Sequence, residues 1–463
     1  MPKKTASLSS SFRDPSGFLF SRDDVLYRQI NREYQSIYEK LNSSGLYAAL
    51  IKKGWLIPHD EVDNIEPEKK DTAYKIIRPE KIGFISYPYE WSFSQLKDAA
   101  LLTLKIQELA IDKGLTLKDA SAYNIQFYKG KPVLIDTLSF DDYEDGKPWD
   151  AYRQFCQHFL APLALMAKVD IRLNQLMRVY IDGIPLDMAS KLLPWSTRLN
   201  LGLFTHIHVH ANAQKKYSES HDKASGDARV SKTGLLGLVD NLRSTVKGLE
   251  WKPQGTEWAD YYDITNYSSD AFEQKKNLVK SFVQKTGGGI IWDMGANTGE
   301  FSRPVSDFGS VVSFDIDPAA VEKNYRQVKS AKETNILPLV LDLTNPSGGI
   351  GWANKERDSL ASRGPADVVL ALALIHQICI SNNVPLENFA EYLRTLGKNL
   401  VIEFVPKEDS QVQILLATRK DIFPNYTLEG FEEAFTKSFE IVNKMPVEGS
   451  LRVLYLMKSK DNI

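Results

Sequence analysis

The sequence predicts an α/β protein in two parts: a doubly wound C-terminal domain preceded by an α+β domain. Three observations lead there. From about Thr256 onward, strand-like and helix-like segments alternate, the pattern of a parallel sheet with helices on both faces. The first of these strands runs into a glycine-bounded turn and a helix start, GGIIWDMGANTGEFS. Upstream, AQKKYSESHDKASGDARVSKTG is polar with little apolar periodicity, which is linker composition. The expected division is an accessory or acceptor domain over 1–212, a linker with one helix over 213–255, and a second domain over 256–463. A chain of 463 residues is too long for one ordinary domain of ~100–200 residues.

In the N-terminal part, SGFLFSRDDVLYRQI reads as two strands and NREYQSIYEKLNSSGLYAALIKKG as helix. AYKIIRPEKIGFISYPYEW reads as two more strands, and QLKDAALLTLKIQELAIDKG as a strong amphipathic helix. In the linker, LLGLVDNLRSTVKGL has helical spacing. In the C-terminal part the order is strand (to Asp293), turn, helix; strand SVVSFDIDP, helix AAVEKNYRQVKS; strand ILPLVLDL; strand ADVVLALALIH, helix PLENFAEYLRTL; and strand NLVIEFVP. The closing segments SFEIVNK and SLRVLYLMK have the spacing of an antiparallel pair.

The turn after the first strand is Gly295-Ala296-Asn297-Thr298-Gly299. Glycines there let the backbone approach a ligand at positive φ, and asparagine tolerates that region better than most residues. The second strand ends at Asp315, about twenty residues on, where a carboxylate accepts both hydroxyls of a ribose. These residues resemble motif I and the following acidic motif of the class I S-adenosylmethionine (SAM)-dependent methyltransferases, over about Trp258 to Met457. Neither the GxGxxG of NAD-binding folds nor a GxxxxGK[ST] phosphate loop is present.

The resemblance implies a Rossmann-like, seven-stranded methyltransferase domain that binds SAM through Asp293, Gly295, Asn297, Gly299 and Asp315. It also implies that Asp342, ending the third strand, holds the adenine amino group. Asn297 departs from the middle glycine of many members. Upstream, Tyr262, Tyr267 and Lys275 are candidates for a lid over the cofactor, or else belong to a helix packed on the sheet.

Catalytic groups in open α/β sheets sit beyond the carboxyl ends of the strands. His376 follows the fourth strand and is the leading candidate for a general base, with capping of the strand or a loop as the plain structural alternative. Glu403 in the fifth strand is a second candidate, equally readable as a structural carboxylate, and Lys407 and Asp409 follow it. No DPPY or NPPY follows the fourth strand, which disfavours amino-directed methylation in that style.

In LKDASAYNIQFYKGKPVLIDTLSF, the placement of Asp119, Asn124 and Asp136 resembles the catalytic loop and metal-binding Asp of protein-kinase-like folds. The Gly-rich loop, the VAIK lysine and the HRD histidine and arginine are missing; Arg28 stands about where the lysine belongs. The alternative is an accessory domain in which Asp119 caps a turn and Asp136 ends a strand. FTHIHVHANAQ places His206, His208 and His210 in alternation. On a strand all three would face one way and suit a metal; on a helix, which the flanks favour, His206 and His210 would pair and His208 would turn away. No metal site is expected.

Lys+Arg is 57 and Asp+Glu 59, which argues against bulk-charge wrapping of nucleic acid but not against a local basic patch. Two cysteines, Cys156 and Cys379, make no disulfide framework and fit a reducing cytoplasm. No apolar run reaches the ~18–20 residues of a membrane helix, and the N-terminus lacks the apolar stretch of a secretory signal.

The expected function is transfer of a methyl group from SAM to a hydroxyl-bearing acceptor, a glycan or small molecule. That expectation draws on bacterial polysaccharide enzymes that join a methyltransferase to a kinase-like domain, and on the similarity of the C-terminal half to nodulation host-specificity proteins of the NoeA type. The alternatives are an RNA or protein methyltransferase, a SAM-binding scaffold with a pseudokinase-like docking domain, and a phosphotransferase acting through Asp119 and Asp136.

Overall fold

A computed structural model describes residues 5–8, 11–210, 229–253, 269–417 and 419–460. The chain divides into two compact units: Met1–Lys252 with Ile350–Arg357, and Pro253–Gly349 with Asp358–Ile463. Tyr262 and Tyr267 lie outside the described residues.

The first unit opens with a five-stranded antiparallel sheet of order β1-β2-β3-β5-β4. Its strands are β1 (Thr5–Ser7), β2 (Gly17–Arg22), β3 (Val25–Asn31), β4 (His59–Glu61) and β5 (Ala73–Pro79). The helical stretch between β3 and β4 breaks at Gly45 (φ 75°) into α1 (Gln35–Ser43) and α2 (Leu46–Lys53). One expectation fails here. Only the first half of AYKIIRPEKIGFISYPYEW is a strand. After Pro79 the chain runs irregularly into a single 3₁₀ turn, Pro88–Glu90. Its backbone is satisfied by a side chain instead of a ladder: Ser86 N donates to Gln126 Oε1 at 2.8 Å and Gln126 Nε2 donates to Ser86 O at 2.8 Å. Tyr87, Tyr89 and Trp91, at the end of that run, are buried by tertiary packing, with Trp91 Nε1 donating to Ser86 Oγ at 2.9 Å.

The long helix α3 (Phe93–Asp112) starts at a capping box, Ser92 N donating to Gln95 Oε1 at 2.8 Å. Two short antiparallel pairs follow it, β6 (Leu115–Leu117) with β9 (Phe140–Asp142) and β7 (Ile125–Tyr128) with β8 (Lys131–Leu134). The helix expected in the linker, α4 (Lys232–Gly248), packs against α3 and belongs to this unit. Lys97 Nζ donates to the carbonyls of Lys247 and Leu249, at 2.9 and 2.7 Å, which pins the helix end that carries the negative dipole.

His206 and His208 lie on a helical turn, Phe204–Val209, that His210 caps, and all three serve packing. His206 Nε2 donates to Asn241 Oδ1 at 2.7 Å, which leaves Nδ1 to accept from Tyr152 Oη at 2.7 Å. His208 bonds Ser190 Oγ and Thr197 Oγ1 at 2.8 and 2.9 Å. Burial lowers the pKa of both, so both rings are neutral at pH 7. His210 stacks near the Tyr152 ring. Among the described residues no three potential ligands converge on a metal position.

The second unit is one seven-stranded sheet of order β12-β11-β10-β13-β14-β16-β15. Its strands are β10 (Gly289–Met294), β11 (Gly309–Asp315), β12 (Ile336–Val340), β13 (Ala366–Ala371), β14 (Gly397–Phe404), β15 (Phe439–Pro446) and β16 (Val453–Ser459). The first five pair in parallel, and β16 runs antiparallel to both of its neighbours. The central strands read as continuous apolar runs because helices cover both faces. These include α5 (Ser269–Thr286), α6 (Pro318–Ala331) and α7 (Leu386–Leu396). Residues Val279, Phe282 and Val283 of α5 join Ile291, Val311, Val368 and Val401 of the strands in one core. The strand order reverses between β10 and β13, which opens a crevice at their carboxyl ends.

Candidate active site

The crevice is built first by the turn after β10. Gly295, Asn297 and Gly299 all take positive φ, at 79°, 50° and 84°. A Cβ on Gly299 would lie 2.6 Å from Arg303 Nη1 and 2.8 Å from the Asn324 carboxamide, so only glycine fits there. Gly295 N and Ala296 N both donate to Phe314 O, at 2.9 and 2.8 Å, fastening the turn to β11. Asn297 N then donates to Asp315 Oδ2 at 2.7 Å, while Asp317 N donates to Asp315 Oδ1 at 2.8 Å. Asp293 accepts from Ser302 Oγ at 2.6 Å.

Both carboxyls are buried, and burial raises both pKa values: Asp293 to about 7, with Asp315 nearby adding to the rise, and Asp315 to about 6 despite its backbone donors. Asp342 lies just past β12, where its Oδ1 accepts from Thr344 N (2.8 Å) and Thr344 Oγ1 (2.6 Å). Asp293, Gly295, Asn297, Asp315 and Asp342 line one cavity of about 260 Å³. Gly299 shapes the turn from behind.

The other end of the same cavity is lined by Phe272, Lys275, Ala373, His376, Gln377 and Arg452. Two sequence candidates change character here. Glu403 is fully buried and does not line the cavity. Its Oε2 accepts from Lys275 Nζ and from Ala373 N, each at 2.7 Å, the arrangement of a structural carboxylate that supports the cavity wall. Lys275 is on α5 and shut off from solvent, so it is part of the wall and not of a lid. Its pKa is lowered by burial, against the opposing pull of Glu403.

Ala373 holds φ 49°, a costly conformation for a residue with a Cβ, and the Glu403 bond secures it. Arg452 grips Asp409 through two bonds, Nε–Oδ2 at 2.7 Å and Nη2–Oδ1 at 3.1 Å, and brings Nη1 to 3.8 Å from Glu403. Neither Ala373 nor Arg452 was legible as a site residue. Alanine carries no local signal, and Arg452 sits in the turn of the closing hairpin.

His376 is buried within the wall, and its Nδ1 has no hydrogen-bond partner among the described residues. Burial, with Arg452 adding to it, lowers its pKa to about 4, so the ring is neutral at pH 7. A glycine cradle, three carboxylates at the ends of three adjacent strands and an orphaned imidazole nitrogen in one cavity fit SAM, which offers ribose hydroxyls, an adenine amino group and a reacting methyl.

The chain is 34% identical over 462 residues to the nodulation protein NoeA of Rhizobium meliloti (strain 1021), covering 98% of this chain and 96% of that protein. It belongs to the NoeA family. No protein-family model matches the chain. Among solved structures, this NoeA-family chain is similar to magnesium protoporphyrin IX methyltransferase (ChlM) from Synechocystis PCC 6803 with bound SAH (17% identity, 44% of this chain and 93% of that one, TM-score 0.31). It is also similar to the N-methyltransferase NodS from Bradyrhizobium japonicum WM9 (9%, 42% and 99%, TM-score 0.30), and to the bifunctional kinase-methyltransferase WbdD (12%, 45% and 43%, TM-score 0.29). The second unit of the NoeA-family chain is a doubly wound seven-stranded sheet with a reversed strand near its edge, and SAM is the cofactor its pocket fits.

Proposed function

We propose that this enzyme moves the methyl group of SAM onto a hydroxyl-bearing acceptor, a glycan or a small molecule. SAM supplies an electrophilic methyl carbon on a positive sulfur. The chain's own residues do the rest. The Gly295–Gly299 turn and Asp315 orient the ribose, Asp342 reads the adenine amino group, and the apolar wall of Leu341, Leu372 and Leu374 excludes water. His376 lines the same cavity as Lys275 and Arg452, and its buried Nδ1, without a partner among the described residues, would accept a hydrogen bond from an acceptor hydroxyl seated against it. The observation that carries this reading is the uncharged His376, its Nδ1 without a partner among the described residues, in a wall whose two cations, Lys275 and Arg452, are already paired with Glu403 and Asp409. A neutral hydroxyl suits such a wall better than a charged acceptor. The test is methyl-labelled SAM with the purified chain and cell extract split into glycan/lipid, RNA, protein and small-molecule fractions. Label in the glycan/lipid or small-molecule fraction as an alkali-stable ether supports the reading; label confined to RNA or protein refutes it.

A second reading concerns the first unit. We infer a kinase-like fold without phosphotransfer. The five-stranded sheet ahead of the Asp119–Asp136 segment, with Arg28 on its third strand, supports it. Arg28 is ion-paired with Asp136, whose carboxylate also accepts from Leu138 N and Ser139 Oγ. A guanidinium lodged on that carboxylate competes with Mg²⁺. Loss of a Mg-ATP signal in Asp136→Ala would instead favour an active phosphotransferase.

A further inference from the structure

We propose that the face formed by Leu192, Trp195, Leu199, Leu201 and Phe204 of the first unit docks on an anionic lipid bilayer. Trp195, Leu199 and Leu201 are 71%, 75% and 73% exposed, and Leu192 and Phe204 are 44% and 39% exposed. Scattered apolar side chains on a surface are ordinary; a tryptophan and two leucines this exposed within one short segment are not.

The segment is built, not loose. His208, buried beneath it, ties Ser190 of the preceding helix to Thr197 of the Trp195–Leu199 turn. Thr197 Oγ1 donates to Pro194 O at 2.6 Å, and Asn200 Oδ1 caps the next turn through Leu203 N at 3.0 Å. The interior of the unit therefore holds these side chains outward.

Charge selects the occupant. No acidic residue occurs between Asp187 and the last described residue of this stretch, His210, whereas Lys191 and Arg198 fall in that interval. Arg198 is exposed among the apolar side chains, and Lys191 shares its charge with Asp187 across 3.6 Å. An exposed tryptophan for the headgroup level, leucines for the acyl boundary and cations for phosphates are the parts of an interfacial anchor. The proposal does not rest on the identity of the methyl acceptor.

The test is flotation of the full-length chain with vesicles of phosphatidylcholine alone and of phosphatidylcholine with phosphatidylglycerol. Bound protein should rise roughly tenfold with the anionic lipid and fall with added salt. The Leu199→Glu/Leu201→Glu variant should lose that gain, with its circular dichroism and SAM affinity unchanged. Arg198→Glu should retain weak binding that no longer responds to salt. Equal flotation of wild type and the double variant, or no flotation of wild type with either vesicle, overturns the proposal. So does a wild-type dimer that the double variant dissociates in the absence of any vesicle binding, which would assign the face to a second copy of the chain.

Discussion

Lys275 and Glu403 meet at 2.7 Å with both side chains closed to solvent, and the Glu403 oxygen that accepts from Lys275 also accepts from Ala373 N in the cavity wall. One buried carboxylate thus joins α5, β14 and the turn after β13. Removing either partner strands a charge in the interior. Lys275→Met alone should cost about 3–5 kcal/mol in urea unfolding, and Lys275→Met/Glu403→Leu should recover most of it. A single variant within ~0.5 kcal/mol of wild type would show the pair to be solvated.

Asp293 gives a pH signature. Its folded-state pKa is raised to about 7 by burial, so the folded chain holds a proton that the unfolded chain has released. The contribution to stability is therefore full at acid pH and is lost as pH rises from about 4 to about 7. Asp293→Asn keeps the Ser302 bond and never ionises. Relative to wild type it should gain up to ~1.4 kcal/mol per pH unit across that window. Parallel stability curves for the two proteins would contradict the buried-carboxyl account.

The rate of methyl transfer should report His376 only at low pH. With its pKa lowered to about 4, the ring stays neutral above about pH 5. An inflection between pH 6 and 7 would belong to Asp315 and Asp293, whose ionised forms favour binding of the ribose and the cationic sulfonium. His376→Asn should lower kcat by roughly 10²-fold or more and leave SAM affinity within about twofold. A variant that lost SAM binding and kept kcat would reassign the residue to the cofactor.

For the first unit, Arg28→Ala should free the Asp136 carboxylate. If the guanidinium is what blocks the position, calorimetry should detect Mg²⁺ binding in the variant and none in wild type. Tight Mg-ATP binding by wild type would end the reading of a kinase-like fold without phosphotransfer.

The sequence was most informative where chemistry is local. The GANTG turn, the acidic ends at Asp293, Asp315 and Asp342, and the reversed strand β16 follow from backbone freedom, strand period and spacing, and the structure brings the turn and the three carboxylates together at one cavity. Long-range pairing was not legible. Glu403 and Lys275 are distant in sequence, and nothing local tells a carboxylate that faces an acceptor from one that anchors Ala373 N. The apolar run ending in Tyr87, Tyr89 and Trp91 misled for a related reason. Burial by tertiary packing, with Gln126 serving the backbone, gives the same apolar pattern as a strand.

The most direct test of the central claim is calorimetric titration of SAM into the full-length chain and into Asp315→Ala. That substitution removes the carboxylate that accepts from Asn297 N and is positioned for the ribose. Wild type should bind one SAM, and the variant should bind it more weakly by about 1.5–3 kcal/mol, the worth of hydrogen bonds to a charged group. Equal affinity in the two proteins would remove Asp315 from the cofactor site, and no heat of binding in either would contradict the assignment of this cavity to SAM.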